Sequence, residues 1–236
     1  MPGTTAKSYF WRGVRDGAPF VLVVGPFGLL FGVVGTEAGL NIVEVMGFSI
    51  LVIAGASQFA AVQLLSDNAP TLIVLATALA VNLRMAMYSA ALVPHLGAAP
   101  LWKRALMAYF LVDQSYAVGA VKFDTEPQMT LQQKVAYYFG IVAPICPNWY
   151  LLTLVGALVG KSIPPSFALD FAIPITFLAL VAPGLRTVAH VAAATTSVAV
   201  ALALAFLPYN SGLLIAALAA MITGAQVELW TKGRMA

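Results

Sequence analysis

Asn82 and Arg84 stand in the middle of an apolar run from Thr71 to Val93. About 20 residues at 1.5 Å rise cross a bilayer, so this run is long enough to do so. A guanidinium at that depth costs upward of about 2.5 kcal/mol, which is why such residues mark a partner, a cavity or a substrate path. On an unbroken helix the two side chains lie roughly 200° apart, so both face one cavity only if the helix is distorted between them. Asp113, in Asp113-Gln-Ser-Tyr116, is the one acid well inside another apolar run. Counting rise from the segment ends puts Arg84 about 20 Å and Asp113 roughly 15 Å from the same edge, within reach of each other. Paired with Arg84, Asp113 stays ionised; if a substrate carboxylate takes Arg84 instead, an acid left in apolar surroundings takes up a proton. That exchange would couple a proton to a substrate. A static helix–helix ion pair is the structural alternative.

Amides and hydroxyls in other apolar runs extend this polar centre. Ser57 and Gln58 follow Gly55-Ala56, and Asn148 follows Pro144, Cys146 and Pro147. Pro26 and Gly28, in Gly25-Pro26-Phe27-Gly28, lie mid-run, where proline and glycine cause kinks. Broken helices expose dipole ends and unpaired carbonyls, so these groups could hold the ammonium and carboxylate of a zwitterion. Hydrogen-bonding between helices is the bland reading of the same residues.

The elements that position these groups are apolar almost throughout. Hydrophobic residues make up 61% and charged residues 9% of the chain, against roughly 25% charged in soluble domains. This is the composition of a polytopic, all-α membrane helix bundle built as a single domain over residues 1–236, with no room for a soluble catalytic domain. A net charge of +3 gathered at segment ends reads as topology, not nucleic-acid binding. One cysteine, Cys146, excludes an internal disulfide, and with two distant histidines it argues against a metal site. His95 reads as interfacial and His190 takes no role. Gly156-Ala-Leu-Val-Gly160-Lys161-Ser162 is one residue short of a phosphate loop, and no hydrolytic set of side chains is present. Neither an enzyme nor a cofactor is expected.

Seven to eight transmembrane segments are expected, several of them broken. They cover about Ala18–Thr36, Ile42–Leu65, Thr71–Val93, Leu106–Val121, Val135–Val159, Phe167–Ala182, Val188–Leu207 and Leu213–Trp230. Central breaks are expected at Pro26 in the first and around Pro144 to Asn148 in the fifth. Before them, Lys7 to Asp16 mixes aromatics and cations like a helix at the headgroup level, and it lacks a signal-peptide core, so the first span should act as its own insertion signal. With eight crossings and the N-terminus inside, Lys7, Arg12, Arg15, Lys122, Lys134, Arg186, Lys232 and Arg234 fall inside, against Lys103, Arg104 and Lys161 outside. Lys103-Arg104 is the awkward pair, and a re-entrant segment before it would change the count. Shifting the chain by 121 residues lays Gly25-Pro26 on Cys146-Pro147 and Gly35-xxx-Gly39 on Gly156-xxx-Gly160. This suggests an internal repeat of residues 10–125 and 130–236, parallel if the offset is an even number of spans and inverted if it is odd.

Taken together, Gly25-Pro-Phe-Gly-Leu-Leu-Phe-Gly32, Ala54-Gly-Ala-Ser-Gln-Phe59, Asn82-Leu-Arg84 with Tyr88-Ser89, and Asp113-Gln-Ser-Tyr116 resemble the AzlC family, the large subunit of branched-chain amino-acid exporters. The resemblance implies a bacterial inner-membrane protein that exports Val, Leu, Ile and Met beside a small multispan AzlD-type partner. A mostly apolar pocket with a few polar groups suits such solutes, and with no ATP-binding motif the energy should come from an ion gradient. Expected substrate contacts are Arg84, Asn82, Gln58, Ser57, Pro26, Gly28, Asn148 and Tyr88, with Asp113 coupling the proton. A passive channel, or a scaffold whose small partner holds the substrate, are the competing readings.

Overall fold

The computed structural model describes residues 5–160, 185, 187–208 and 211–233. Among these, α1 (Ala6–Gly17), α2 (Val21–Glu37), α3 (Ile42–Val52), α4 (Gly55–Ser66), α5 (Thr71–Leu96), α6 (Leu101–Tyr109), α7 (Asp113–Thr125), α8 (Leu131–Gly160), α9 (Val188–Ala203) and α10 (Gly212–Gly233) account for nearly everything. Among the described residues four stretches are long and apolar enough to cross a membrane: 6–37, 71–96, 131–160 and 212–231. Among the described residues the fold is all-helical, and the chain is a multi-pass membrane protein. It divides into two compact units, Met1–Phe59 with Val81–Pro164, and Ala60–Ala80 with Pro165–Ala236. The expected sixth span, Phe167–Ala182, lies outside the described residues.

In the first unit α1 and α2 run along α8 in the same direction, at backbone contact. A Cβ on Gly13 would meet the Tyr137 carbonyl, one on Gly32 the Thr153 carbonyl, and one on Gly156 the Leu29 carbonyl. Small residues permit this approach, which dispersion stabilises where water is absent to drive association. The expected breaks at the prolines do not occur. Pro26 lies inside α2, and Pro144 and Pro147 lie inside α8. A membrane helix tolerates a lost backbone bond where neighbours pack tightly against it, and here the partner helix presses directly on the stretch. The short 3-10 turn at Ala18–Phe20, with Pro19 in it, is where the first long helix adjusts.

The chain reverses where no proline stands. Asn41 caps α3 by accepting from Glu44 N at 3.0 Å, while Glu44 accepts from Asn41 N at 2.7 Å, the reciprocal box that starts a helix. α3 stops at Ile53, whose φ of 44° and ψ of 38° are left-handed, a strained conformation for a β-branched residue. Gln58 Nε2 then donates to Ser49 Oγ at 3.2 Å, nine residues back. Nine residues along a straight helix would separate them by about 13 Å, so α4 folds back beside α3. Phe31 touches both Phe48 and Phe59, placing those two rings at one level.

The same reversal joins α6 and α7. The Tyr138 hydroxyl donates to Met107 O at 2.7 Å and lies 3.3 Å from Ser115 Oγ, so residues eight apart in sequence meet at one group. Ser115 Oγ accepts from Val112 N at 3.0 Å and starts α7. The second and fourth expected crossings, Ile42–Leu65 and Leu106–Val121, are therefore not single spans. Each is a helical hairpin, with limbs of about 14 to 20 Å, half or so of a bilayer core.

This corrects the placement of Lys103 and Arg104. The hairpin at Ile53 turns the following helix round, and α5 ends with His95 Nε2 3.4 Å from Asp124 and His95 Nδ1 3.3 Å from Lys134 Nζ. Lys103 and Arg104, seven and eight residues beyond the end of α5, thus share an end of the unit with Arg12, Lys122 and Lys134, while Glu37 and Glu44 lie at the other. At the basic end, Glu126 accepts from Arg12 Nη2 at 2.7 Å and from the Tyr9 hydroxyl at 3.1 Å, and lies 2.8 Å from Lys122 Nζ. Lys122 and then Arg12 hold the Glu126 carboxyl down at about 2, below its ordinary 4.5. A depressed carboxyl stabilises the fold above its unfolded value and loses that contribution as pH falls through the folded one. Glu126→Gln is therefore expected to melt below wild type at pH 6 to 7, the two melting curves converging as pH is lowered from about 4.5 to about 2.

In the second unit α9 and α10 pair closely. Thr187 caps α9 by accepting from His190 N at 3.2 Å, and Gly224 faces Ala193 and Ala189. Ala216 is buried.

Candidate functional site

The tip of the α3/α4 hairpin carries the first polar cluster. Because α3 ends at Ile53, α4 begins mid-unit, and Ser57 and Gln58 occupy its first turn. Ser57 Oγ donates to Ala54 O at 2.9 Å and accepts from Asn82 Nδ2 at 3.0 Å. Gln58 Nε2 reaches Ser49 Oγ, which donates to Thr153 Oγ1 at 3.4 Å. Ser49, Ser57, Gln58 and Thr153 are all at least 99% buried, so this chain of hydroxyls and amides is sealed from bulk solvent.

Aromatic rings wall the cluster. Phe59 packs on Phe27 at 4.8 Å and on Phe31 at 5.4 Å, and Trp149 stacks on Phe31 at 6.2 Å. Gly28 and Gly55 make the room: a Cβ on Gly28 would stand 3.1 Å from Trp149 O, and one on Gly55 would press on Phe27 and Trp149. Gly25, next to Pro26, faces Asn148 Nδ2 in the same way at 3.1 Å. Pro26, Gly28, Ser57, Gln58, Asn82 and Asn148 thus come from four helices into one neighbourhood.

Arg84 and Asp113 form a second cluster on the other side of α5. That helix is unbroken, so Asn82 turns to α4 while Arg84 turns to α7, as their angular separation requires. Arg84 Nη2 lies 3.1 Å from Asp113 Oδ2, the side chains being 31% and 42% exposed. Asp113 is the first residue of α7, where freed N–H groups and the helix dipole favour a carboxylate. One turn further along both helices, Tyr88 stacks on Tyr116 with ring centres 4.1 Å apart and planes 9° apart. The ladder from Arg84–Asp113 through Tyr88–Tyr116 to His95–Asp124 holds the α6/α7 hairpin against α5.

Five buried polar side-chain atoms among the described residues have no hydrogen-bond partner: Gln58 Oε1, Asn82 Oδ1, Arg84 Nε, Asn148 Nδ2 and Trp149 Nε1. Buried groups are nearly always paired, so unpaired ones ask for an explanation. Here four of the five belong to residues whose types and depth single them out in the sequence. Trp149, Ser49 and Thr153 do not stand out there, because an aromatic or small hydroxyl residue in an apolar run is ordinary helix packing.

These residues all fall within 19–163, the stretch that matches the AzlC protein family. The chain belongs to the AzlC family. It is 31% identical over 224 residues to an uncharacterized membrane protein of Archaeoglobus fulgidus, covering 93% of this chain and 95% of that one. It is also 26% identical over 175 residues to the inner membrane protein YgaZ of Escherichia coli, covering 72% of this chain and 70% of that one. No solved structure matches it. The family match spans both hairpins and both polar clusters, so this AzlC chain carries its candidate site wholly within the family's region.

Proposed function

We propose that this chain is the large subunit of a secondary-active exporter of branched-chain, hydrophobic amino acids, working in a bacterial inner membrane beside a small multispan subunit and drawing on the proton gradient. The observation that carries the reading is the set of unpaired buried atoms. Arg84 Nε, Asn148 Nδ2 and Trp149 Nε1 are donors, and Gln58 Oε1 and Asn82 Oδ1 are acceptors. In the first cluster Asn148 Nδ2 and Trp149 Nε1 suit a carboxylate, Gln58 Oε1 and Asn82 Oδ1 suit an ammonium, and Phe27, Phe31 and Phe59 supply an apolar wall for the side chain, while Arg84 Nε, on the opposite face of α5, would take the carboxylate at another stage of transport. An amino acid with a hydrocarbon side chain offers all three. Proton uptake by Asp113 would release Arg84 for the substrate carboxylate, and reformation of the pair would expel it. The basic end of the first unit faces the cytoplasm in this reading, following the rule that Lys and Arg stay inside.

The test is efflux of radiolabelled leucine from proteoliposomes that hold the chain with its small partner. Saturable, uphill movement under an imposed pH gradient is expected, and Asn82→Ala should raise the half-saturating leucine concentration about tenfold, the worth of one lost hydrogen bond to a charged group. Flux that neither saturates nor runs uphill would replace this reading with a passive channel. Unchanged saturation in Asn82→Ala, with loss on mutating the partner alone, would move the substrate site to the partner.

A further inference from the structure

The two hairpins meet. Tyr109, the last residue of α6, donates its hydroxyl to Ile50 O at 2.7 Å. Ile50 belongs to the last turn of α3, where helix carbonyls lose their intrahelical donors. The Tyr109 hydroxyl also lies 2.9 Å from the Tyr150 hydroxyl of α8. α3 starts at the end of the unit marked by Glu37 and Glu44, whereas α6 starts at the basic end. Tyr109 therefore ties a hairpin entering from one side to a hairpin entering from the other, at the level where both turn back.

Each hairpin tip carries one of the two polar clusters: Ser57 and Gln58 follow the turn at Ile53, and Asp113 follows the turn at Phe110. We infer that Tyr109 is the positioning residue through which the ionisation of Asp113 is transmitted to the substrate groups of α4. The inference rests on the transport reading above and deepens it. Arg84 and the Tyr88 hydroxyl face Asp113 from α5; when Asp113 is neutral the α6/α7 hairpin loses its ionic hold on Arg84, and any shift of its tip is passed to Ile50 through the Tyr109 hydroxyl. The bond lies at the surface of the unit, Tyr109 being 37% and Ile50 47% exposed, and its loss leaves the Ile50 carbonyl without the hydroxyl that ties it to α6. The left-handed Ile53, three residues on, is a point at which α3/α4 can yield. Tyr109 touches neither the candidate substrate groups nor Asp113 by any hydrogen bond of the described residues, so its role is transmission and not binding.

Tyr109→Phe keeps the ring and removes the hydroxyl. In proteoliposomes with the small partner, leucine counterflow at equal pH on both sides should stay within about threefold of wild type, while uphill efflux driven by a pH gradient should fall about tenfold, the upper scale of one hydrogen bond. Tyr150→Phe removes a neighbouring hydroxyl but leaves the bond to Ile50, and should keep both activities. Tyr109→Phe that couples like wild type overturns the inference, as does a variant that loses counterflow and uphill efflux equally while melting at the wild-type temperature. If the wild-type chain shows no leucine counterflow at all, it is the transport reading that has failed.

Discussion

Asp113→Asn is expected to abolish uphill leucine efflux under a pH gradient while leaving counterflow in place. Asparagine keeps the size and a hydrogen-bonding oxygen but holds no proton to exchange and no charge for Arg84. The guanidinium, 3.1 Å from the carboxylate in wild type, then stands permanently released, which is the substrate-binding condition of the proposed cycle. Binding should therefore persist and the expelling half-step should be lost. Arg84→Ala acts differently: it removes the group that meets the substrate carboxylate and leaves Asp113 without its counter-charge, so both counterflow and uphill efflux should go. Loss of the charged group that meets the substrate carboxylate costs about 1.5 to 3 kcal/mol, enough to cut uphill flux about tenfold to a hundredfold. Both variants should be read against a melting curve. Asp113→Asn with full proton-driven transport would reduce the Arg84–Asp113 pair to a structural pin between α5 and α7.

Depth and residue type made much of this site readable. An arginine and an acid at similar heights in apolar runs have few other partners, and the pair at 3.1 Å follows from that scarcity. α5 is continuous, and Asn82 and Arg84 serve different neighbours, as their separation of roughly 200° requires. The path of the chain was less legible. Pro26, Pro144 and Pro147 read as breaks in the sequence, yet each removes only one backbone donor, and with glycine-lined contact between α2 and α8 both helices continue through them.

The real reversals, at Ile53 and at Phe110–Val112, depend on groups distant in sequence. The Tyr109 hydroxyl donates to Ile50 O, the Tyr138 hydroxyl donates to Met107 O, and Ser115 Oγ completes the turn locally by donating to Val112 O. A local signal did exist, since Asp113-Gln-Ser115 has the acid and hydroxyl of a helix start and Gly55-Ala56-Ser57 interrupts an apolar run. Lys103-Arg104 was the sharper clue. Two cations on the wrong side of an eight-span topology return to the basic end once the span before them folds back.

The contact between α2 and α8 gives the largest expected effect on stability. Gly156→Leu should prevent the protein from folding or lower its melting temperature steeply, because the added Cβ meets the Leu29 carbonyl inside van der Waals distance. The obstructing atom is backbone, so no rotamer change relieves it, and the two helices must part along the stretch that also seats Trp149 over Gly28. Overpacking against movable side chains costs about 1 to 3 kcal/mol; against a fixed carbonyl the loss should exceed that range. Gly32→Ala meets the Thr153 carbonyl and Ala157 N in the same way and should be nearly as damaging. Gly47 supplies the contrast, since a Cβ there meets nothing within 4 Å and α3 is helical at that point. Gly47→Ala should leave the melting temperature unchanged or raise it, as alanine favours a helix over glycine by about 1 kcal/mol. Measured in detergent by thermal unfolding, a Gly156→Leu protein as stable as Gly47→Ala would mean that α2 and α8 do not touch as closely as their glycines allow. The parallel pairing of the two segments related by the 121-residue shift would fall with it.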